Sequence, residues 1–216
     1  SADDTHQFTG SVFITGSRIS LDDGKQNTIV GFDAGKSITT GNKNVAIGRL
    51  AGGGFTTGIR NTVIGQSAGG YTADASYLTV VGYDSANGPI TSGANYLIAI
   101  GTNVANYLTS GPANTFVGES VGTNSGESKG ITTGGYNTAV GYQAFARMQA
   151  TMTGNYNSMF GYRAGYSLGG AAVSSTLIGS QAGLYATGSY NTFVGADAGK
   201  GIHHASSSGQ NNVAVG

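Results

Sequence analysis

Along nearly the whole chain, one polar residue, one small and mostly polar residue, two apolar residues and a glycine follow one another as a recurring phrase. It reads Asn27-Thr-Ile-Val-Gly31, Asn44-Val-Ala-Ile-Gly48, Asn61-Thr-Val-Ile-Gly65, Asn114-Thr-Phe-Val-Gly118 and Asn137-Thr-Ala-Val-Gly141. It returns as Asn157-Ser-Met-Phe-Gly161, Asn191-Thr-Phe-Val-Gly195 and Asn212-Val-Ala-Val-Gly216. Copies without the Asn end at Gly82, Gly101 and Gly179, which makes about eleven in all. The first copies are 17 residues apart, and the spacing later reaches 23. Repetition at this period marks stacked units, each too thin to bury its own apolar face, and not a globular enzyme core. The pattern predicts an all-β chain, a parallel β-solenoid or β-roll of about eleven coils.

Aligned on the motif glycine, each column has its own chemistry. The residue before it is Val30, Ile47, Ile64, Val81, Ile100, Val117, Val140, Phe160, Ile178, Val194 and Val215. Large, apolar and mostly β-branched, this column is assigned to the buried face of a short strand. Two residues earlier, on the same face, stand mostly Thr, with Val45, Ile98 and Val213 as apolar variants. Between them runs Ile29, Ala46, Val63, Val80, Ala99, Phe116, Ala139, Met159, Leu177, Phe193 and Ala214, which the strand period of two turns to the opposite face. The strand is then apolar on both sides. Left exposed, the second column is a stripe of the kind that marks an interaction surface. Self-association with three such stripes around one axis suits its narrowness and its many Ala; the alternative is a coil that folds back over its own stripe. On this assignment Val117→Asp disrupts folding, and Tyr156→Ala leaves the fold intact.

The turns have phrases of their own. Ala-Gly recurs at Ala34-Gly35, Ala51-Gly52, Ala68-Gly69, Ala164-Gly165, Ala182-Gly183 and Ala198-Gly199, where small residues allow close approach. Thr-Thr-Gly at Thr39–Gly41, Thr56–Gly58 and Thr132–Gly134 places glycines expected to take positive φ. One coil is then strand, turn, short strand, turn, with the motif Asn stacked into an amide ladder. Residues 1–26 read as a lead-in or capping segment and residues 27–216 as the solenoid shaft.

Composition narrows the function. Of 216 residues 39 are Gly, 2 are Pro and none is Cys, which removes disulfides and thiolate metal sites. Charged residues are 9% and the net charge is zero, so no basic footprint for nucleic acid exists. No apolar run approaches membrane-spanning length, so no membrane insertion is expected. The start at Ser1 and the stop on a motif glycine read as cuts in a longer polypeptide.

Asn44–Gly48 and Asn212–Gly216 resemble the repeat of trimeric autotransporter adhesin heads, which are left-handed parallel β-rolls; the repeat here is longer and less regular. A closer resemblance is to the repeat arrays of phage and other viral tail fibres, in which Asn-Thr-Ala-Val-Gly, Ala-Gly and Thr-Thr-Gly phrases alternate. The segment from Asp4 to Gly16 is similar to the lead-in of such fibre domains. The resemblance spans roughly residues 5 to 216 and implies a homotrimeric shaft on the outside of a virion that attaches to a host receptor. In that family a C-terminal chaperone domain, cleaved after trimerisation, often follows; nothing here matches it.

Catalytic constellations are sparse. There is no phosphate-loop signature, no His-Glu-x-x-His and no Gly-x-Ser-x-Gly elbow. No cofactor is expected. His203-His204 is the one concentrated imidazole pair, a weak metal candidate because adjacent residues of an extended chain point apart. Asp22, Asp23, Asp33, Asp84 and Asp197 have no calcium-loop spacing, and a carboxylate pair across coils is the enzymatic alternative, a glycan-hydrolysing spike. Binding is the better reading. The residue before the motif Asn, or before the residue standing in its place, is Lys43, Arg60, Tyr77, Tyr96, Tyr136, Tyr156 and Tyr190 in seven copies, an aromatic and basic corner ladder along which a surface carbohydrate can track. Insertions at 71–77, 123–131, 145–152, 169–174 and 201–208 are the other candidates, with 145–152 the least turn-like and able to form a helical turn. A bacterial adhesin head and an ice-binding solenoid with a Thr face are the remaining alternatives; against the latter, the Thr column shares its face with the column assigned to the core.

Overall fold

The computed structural model describes residues 24–123, 133–146, 153–168, 170–201 and 209–216. Each copy of the phrase forms one three-residue strand. In chain order these are β1 Thr28–Val30, β2 Val45–Ile47, β3 Thr62–Ile64, β4 Thr79–Val81, β5 Ile98–Ile100 and β6 Thr115–Val117. They continue as β7 Thr138–Val140, β8 Ser158–Phe160, β9 Thr176–Ile178, β10 Thr192–Val194 and β11 Val213–Val215. All eleven lie side by side in chain order in one sheet, every neighbour parallel and in motif register: Thr28 sits against Val45, Ile29 against Ala46, Val30 against Ile47. The chain is thus all-β, a parallel β-solenoid, with a single 3-10 turn at Ser92–Ala94 as the one helical element among the described residues. At a strand spacing of about 4.8 Å, eleven strands span roughly 50 Å.

Among the described residues the second strand expected in each coil does not form, and turns and bends make up most of the rest. These turns are still tied coil to coil. Lys43 N–H donates to Lys25 O at 3.1 Å, Leu50 to Phe32 at 2.9 Å, and Gly35 to Ala51 at 2.9 Å. The backbone ladder therefore continues round each corner, which is how strands of only three residues hold a stack.

The faces of the strand are the reverse of the assignment made from sequence. The middle column is the core: Ala46, Val63, Val80, Ala99, Phe116, Ala139, Met159, Leu177 and Phe193 are buried, joined by Phe55, Leu78, Leu97, Leu108 and Phe145. The column before the glycine points out, with Val30 43%, Phe160 40% and Ile178 40% exposed. The motif Asn sets this parity. Its side chain is turned inward, so the alternation of a strand sends the first and third residues outward and the second inward. Val117 belongs to the outer face and Phe116 to the core.

The Asn is a clamp, not a rung of an amide ladder. Asn44 Oδ1 accepts the Asn61 N–H at 3.0 Å, and its Nδ2 donates to Gly58 O at 2.9 Å. Asn27, Asn61, Asn114, Asn137 and Asn157 repeat the pair of bonds to the following coil. Direct amide-to-amide bonds occur at Asn157–Asn137 and Asn212–Asn191. Where the phrase lacks Asn, Leu78, Leu97 and Ser175 fill the same buried position.

The glycine of the Thr-Thr-Gly turn also differs from expectation. Gly41 and Gly58 do not take positive φ. A Cβ on Gly41 would lie 2.6 Å from Gly58 O, so glycine is needed there for the approach of the next coil. The left-handed residue of the corner comes two positions later, directly before the Asn, with φ of 59° at Lys43 and 57° at Arg60. It is the Ala-Gly glycines that take positive φ, 55° at both Gly35 and Gly52.

Candidate functional site

Three surfaces of the rod carry side chains that chemistry can use. The first is the corner ladder. All seven of its residues take left-handed backbone, from 57° at Arg60 and Tyr136 to 64° at Tyr96. Left-handed backbone costs a residue with a side chain roughly 1–2 kcal/mol. Here an N–H bond to the preceding coil holds it, as Tyr136 to Pro112 O at 2.8 Å and Tyr190 to Val173 O at 2.8 Å. Identical backbone at successive coils aims the side chains the same way. Tyr77 and Tyr96 stack at 4.8 Å and 14°, and Tyr136 and Tyr156 at 5.1 Å and 13°. The Arg60 guanidinium lies 5.4 Å from the Tyr77 ring centre and donates from Nη1 to its hydroxyl at 2.7 Å.

The structure thus gathers Arg60, Tyr77 and Tyr96 into one run and Tyr136 with Tyr156 into another. Lys43 takes the same corner one coil before Arg60. Ala113 and Ser174 interrupt the aromatic column, and Tyr190 follows the second interruption. Within a run the rings spend their faces on each other. Their edges, hydroxyls and outermost faces are left open to solvent.

Sequence reading missed a second column, the residue after the motif glycine. Phe32 is 72% exposed there, and Tyr142 stacks on Tyr162 at 5.6 Å and 6°. Arg163 lies 5.2 Å from the Tyr162 ring centre and 5.1 Å from that of Tyr166, and its Nε donates to Gln143 Oε1 at 2.9 Å. The repeated Gly-Tyr at 82–83, 141–142 and 161–162 is the signal that marks it.

The other large surface is the outer face of the sheet. It holds two columns along all eleven strands: Thr with Val45, Ile98, Ser158 and Val213, and beside it the Val/Ile column with Phe160. At a width of about three strand residues and a length near 50 Å, it covers roughly 500 Å². A typical monomer's largest apolar patch is about 300–600 Å².

Of the other sequence candidates, His203, His204, Asp22 and Asp23 lie outside the described residues, as do most of the insertions at 123–131, 145–152 and 201–208. Phe145 is described and buried, packing on Phe116 at 6.3 Å. Asp33 pairs with Lys36 at 3.0 Å and Asp197 with Lys200 at 2.8 Å, both on the surface. Asp84 accepts from the amides of Asn87 and Asn106. Among the described residues no three His, Asp or Glu side chains gather where a metal could sit, and no helix is long and apolar enough to cross a membrane. No protein-family model, curated protein or solved structure significantly matches this chain.

Proposed function

We propose that this chain is the shaft of a homotrimeric fibre of the viral tail-fibre kind, a stiff extracellular rod on the virion that meets a carbohydrate receptor on the host surface. The observation that carries it is the outer face of the sheet: two in-register columns of Thr, Val and Ile over which nothing among the described residues packs. Three faces of roughly 500 Å² bury about 1,500 Å² in all when closed on one another, the size of a standard specific interface shared over three contacts. Two columns suit threefold closure, with the Thr column of one chain meeting the Val/Ile column of the next. The likeness of the repeat phrases to tail fibres supplies the setting, and the aromatic corner ladder supplies the receptor surface. Light scattering across a gel-filtration peak tests the assembly. A mass three times that of one chain is the expected result, and a monomer at high concentration overturns it.

One finding favours a second reading. The Thr column is outward, so the sequence-based objection to an ice-binding face no longer holds. That reading needs a monomer, since a trimer hides the face, and it needs a regular array, which Val45, Ile98, Ser158 and Val213 interrupt. Thermal hysteresis in a monomeric sample would replace the fibre reading with it.

A further inference from the structure

Charge is spread unevenly along the rod. From residue 128 to residue 196 the sequence holds no Asp and no Glu, and β7, β8, β9 and β10 all fall inside that stretch. Its cations are Lys129, Arg147 and Arg163, of which only Arg163 lies among the described residues. Two cations among the described residues are half-buried, Arg163 and Lys200. Lys200 has Asp197 as its counter-ion at 2.8 Å, whereas Arg163 has no carboxylate on its own coil or on either neighbouring one.

The Arg163 guanidinium is held in place all the same. It lies 5.2 Å from the centre of the Tyr162 ring and 5.1 Å from that of Tyr166, and Nε donates to Gln143 Oε1 at 2.9 Å. The backbone beneath it is fixed too, with φ of 53° and the N–H bonded to Tyr142 O at 2.9 Å. Tyr162 is stacked on Tyr142, and Tyr166 is buried. A guanidinium carries five N–H donors. Among the described residues only the donor on Nε has an acceptor, so the outer fork of Nη1 and Nη2 is open. Arg60, also set over a ring, spends its Nη1 on the Tyr77 hydroxyl.

We infer that Arg163 anchors a binding site for an acidic saccharide, taking the sugar's carboxylate in a bidentate contact with Nη1 and Nη2. A planar fork matches the two oxygens of a carboxylate. The tyrosine contacts and the bond to Gln143 remove in advance the rotamer freedom that an arginine otherwise gives up on binding. The missing counter-ion leaves the charge for a ligand to neutralise, and partial burial strengthens that attraction beyond what bulk water allows.

The rim favours a sugar over a peptide. Gln181 stands one coil on in the same column, and its side-chain amide has no hydrogen-bond partner among the described residues. Tyr142 and Tyr162, beside the fork, are 41% and 43% exposed. Amides and phenol hydroxyls suit a ligand rich in hydroxyls. A peptide finds no free strand edge here, because the N–H groups of Arg163 and Gln181 are already bonded to Tyr142 O and Tyr162 O. This rests on the attachment reading and adds to it an acidic receptor and the residue that selects for it.

The test replaces the fork with what the neighbouring coils carry. Gln143 and Gln181 hold the same left-handed position, φ 52° and 57°, so Arg163→Gln keeps the backbone and removes the charge. Arg163→Lys keeps the charge and removes the fork. Saturation-transfer NMR follows the parent chain and both variants with the methyl glycosides of glucuronic acid, galacturonic acid, N-acetylneuraminic acid and glucose, and with acetate and a capped glutamyl peptide. The expected result is that at least one acidic glycoside binds about tenfold or more tighter than methyl glucoside, acetate and the peptide, and loses about tenfold or more in each variant. The proposal is overturned if no acidic glycoside binds, if acetate or the peptide binds as tightly as the best of them, or if either variant binds undiminished. Transfer to methyl glucoside alone removes this site and leaves the attachment reading standing. A monomeric mass removes the fibre reading and leaves the site.

Discussion

A single asparagine per coil does more to hold the stack than its small size suggests. Asn61 is buried; its oxygen accepts the Leu78 N–H at 2.9 Å and its nitrogen donates to Ala75 O at 3.0 Å. Asn61→Ala leaves one buried donor and one buried acceptor unpaired, and each orphaned group costs about 1–3 kcal/mol. A loss of about 2–4 kcal/mol in denaturant unfolding is expected; a change below 1 kcal/mol would mean water replaces the amide. The same residue explains what could and could not be read beforehand. The recurrence of Asn was plain in the sequence, but not its inward turn, because a polar side chain is ordinarily placed outside. The signal lay in the degenerate copies: Leu78 and Leu97 stand where the Asn stands, and a column that admits leucine faces the core. The tyrosine column was legible as a column, yet its partition into stacked runs and gaps follows from left-handed backbone that no propensity for Tyr announces.

At the scale of the strand, one inverted choice changes every consequence. Parallel pairing, motif register and a strand in each copy follow from the pattern, whereas the identity of the core face does not, since both faces of a Thr-Phe-Val strand are plausible interiors. The two faces of β6 now separate by experiment. Phe116→Asp places a carboxylate in the packed core beside Phe145, and loss of the folded circular-dichroism signal is expected. Val117→Asp, on the outer face, is expected to keep that signal and to shift the light-scattering mass from trimer to monomer. An unfolded Val117→Asp chain would return the column to the interior.

For the whole molecule, stability is a sum over coils and the contacts between neighbours, because no coil touches any but the adjacent ones through its strand. Opening then proceeds inward from an end. Hydrogen exchange is expected to be slowest at β5 to β7 and fastest at β11, where Val213 and Val215 are 75% and 77% exposed; uniform protection along the rod would show a single all-or-none unit instead. The direction of the ladder has a mechanical meaning as well. The bonds between coils point along the rod, so a pull on the two ends loads them one coil at a time, like a zip, and not all together in shear. Each coil that peels away frees about 17 residues, roughly 60 Å of slack at full extension, for the rupture of only one layer of bonds. A lone rod of this design stands up to compression and gives way under tension, and threading its coils against two sister chains would turn a zip into a rope.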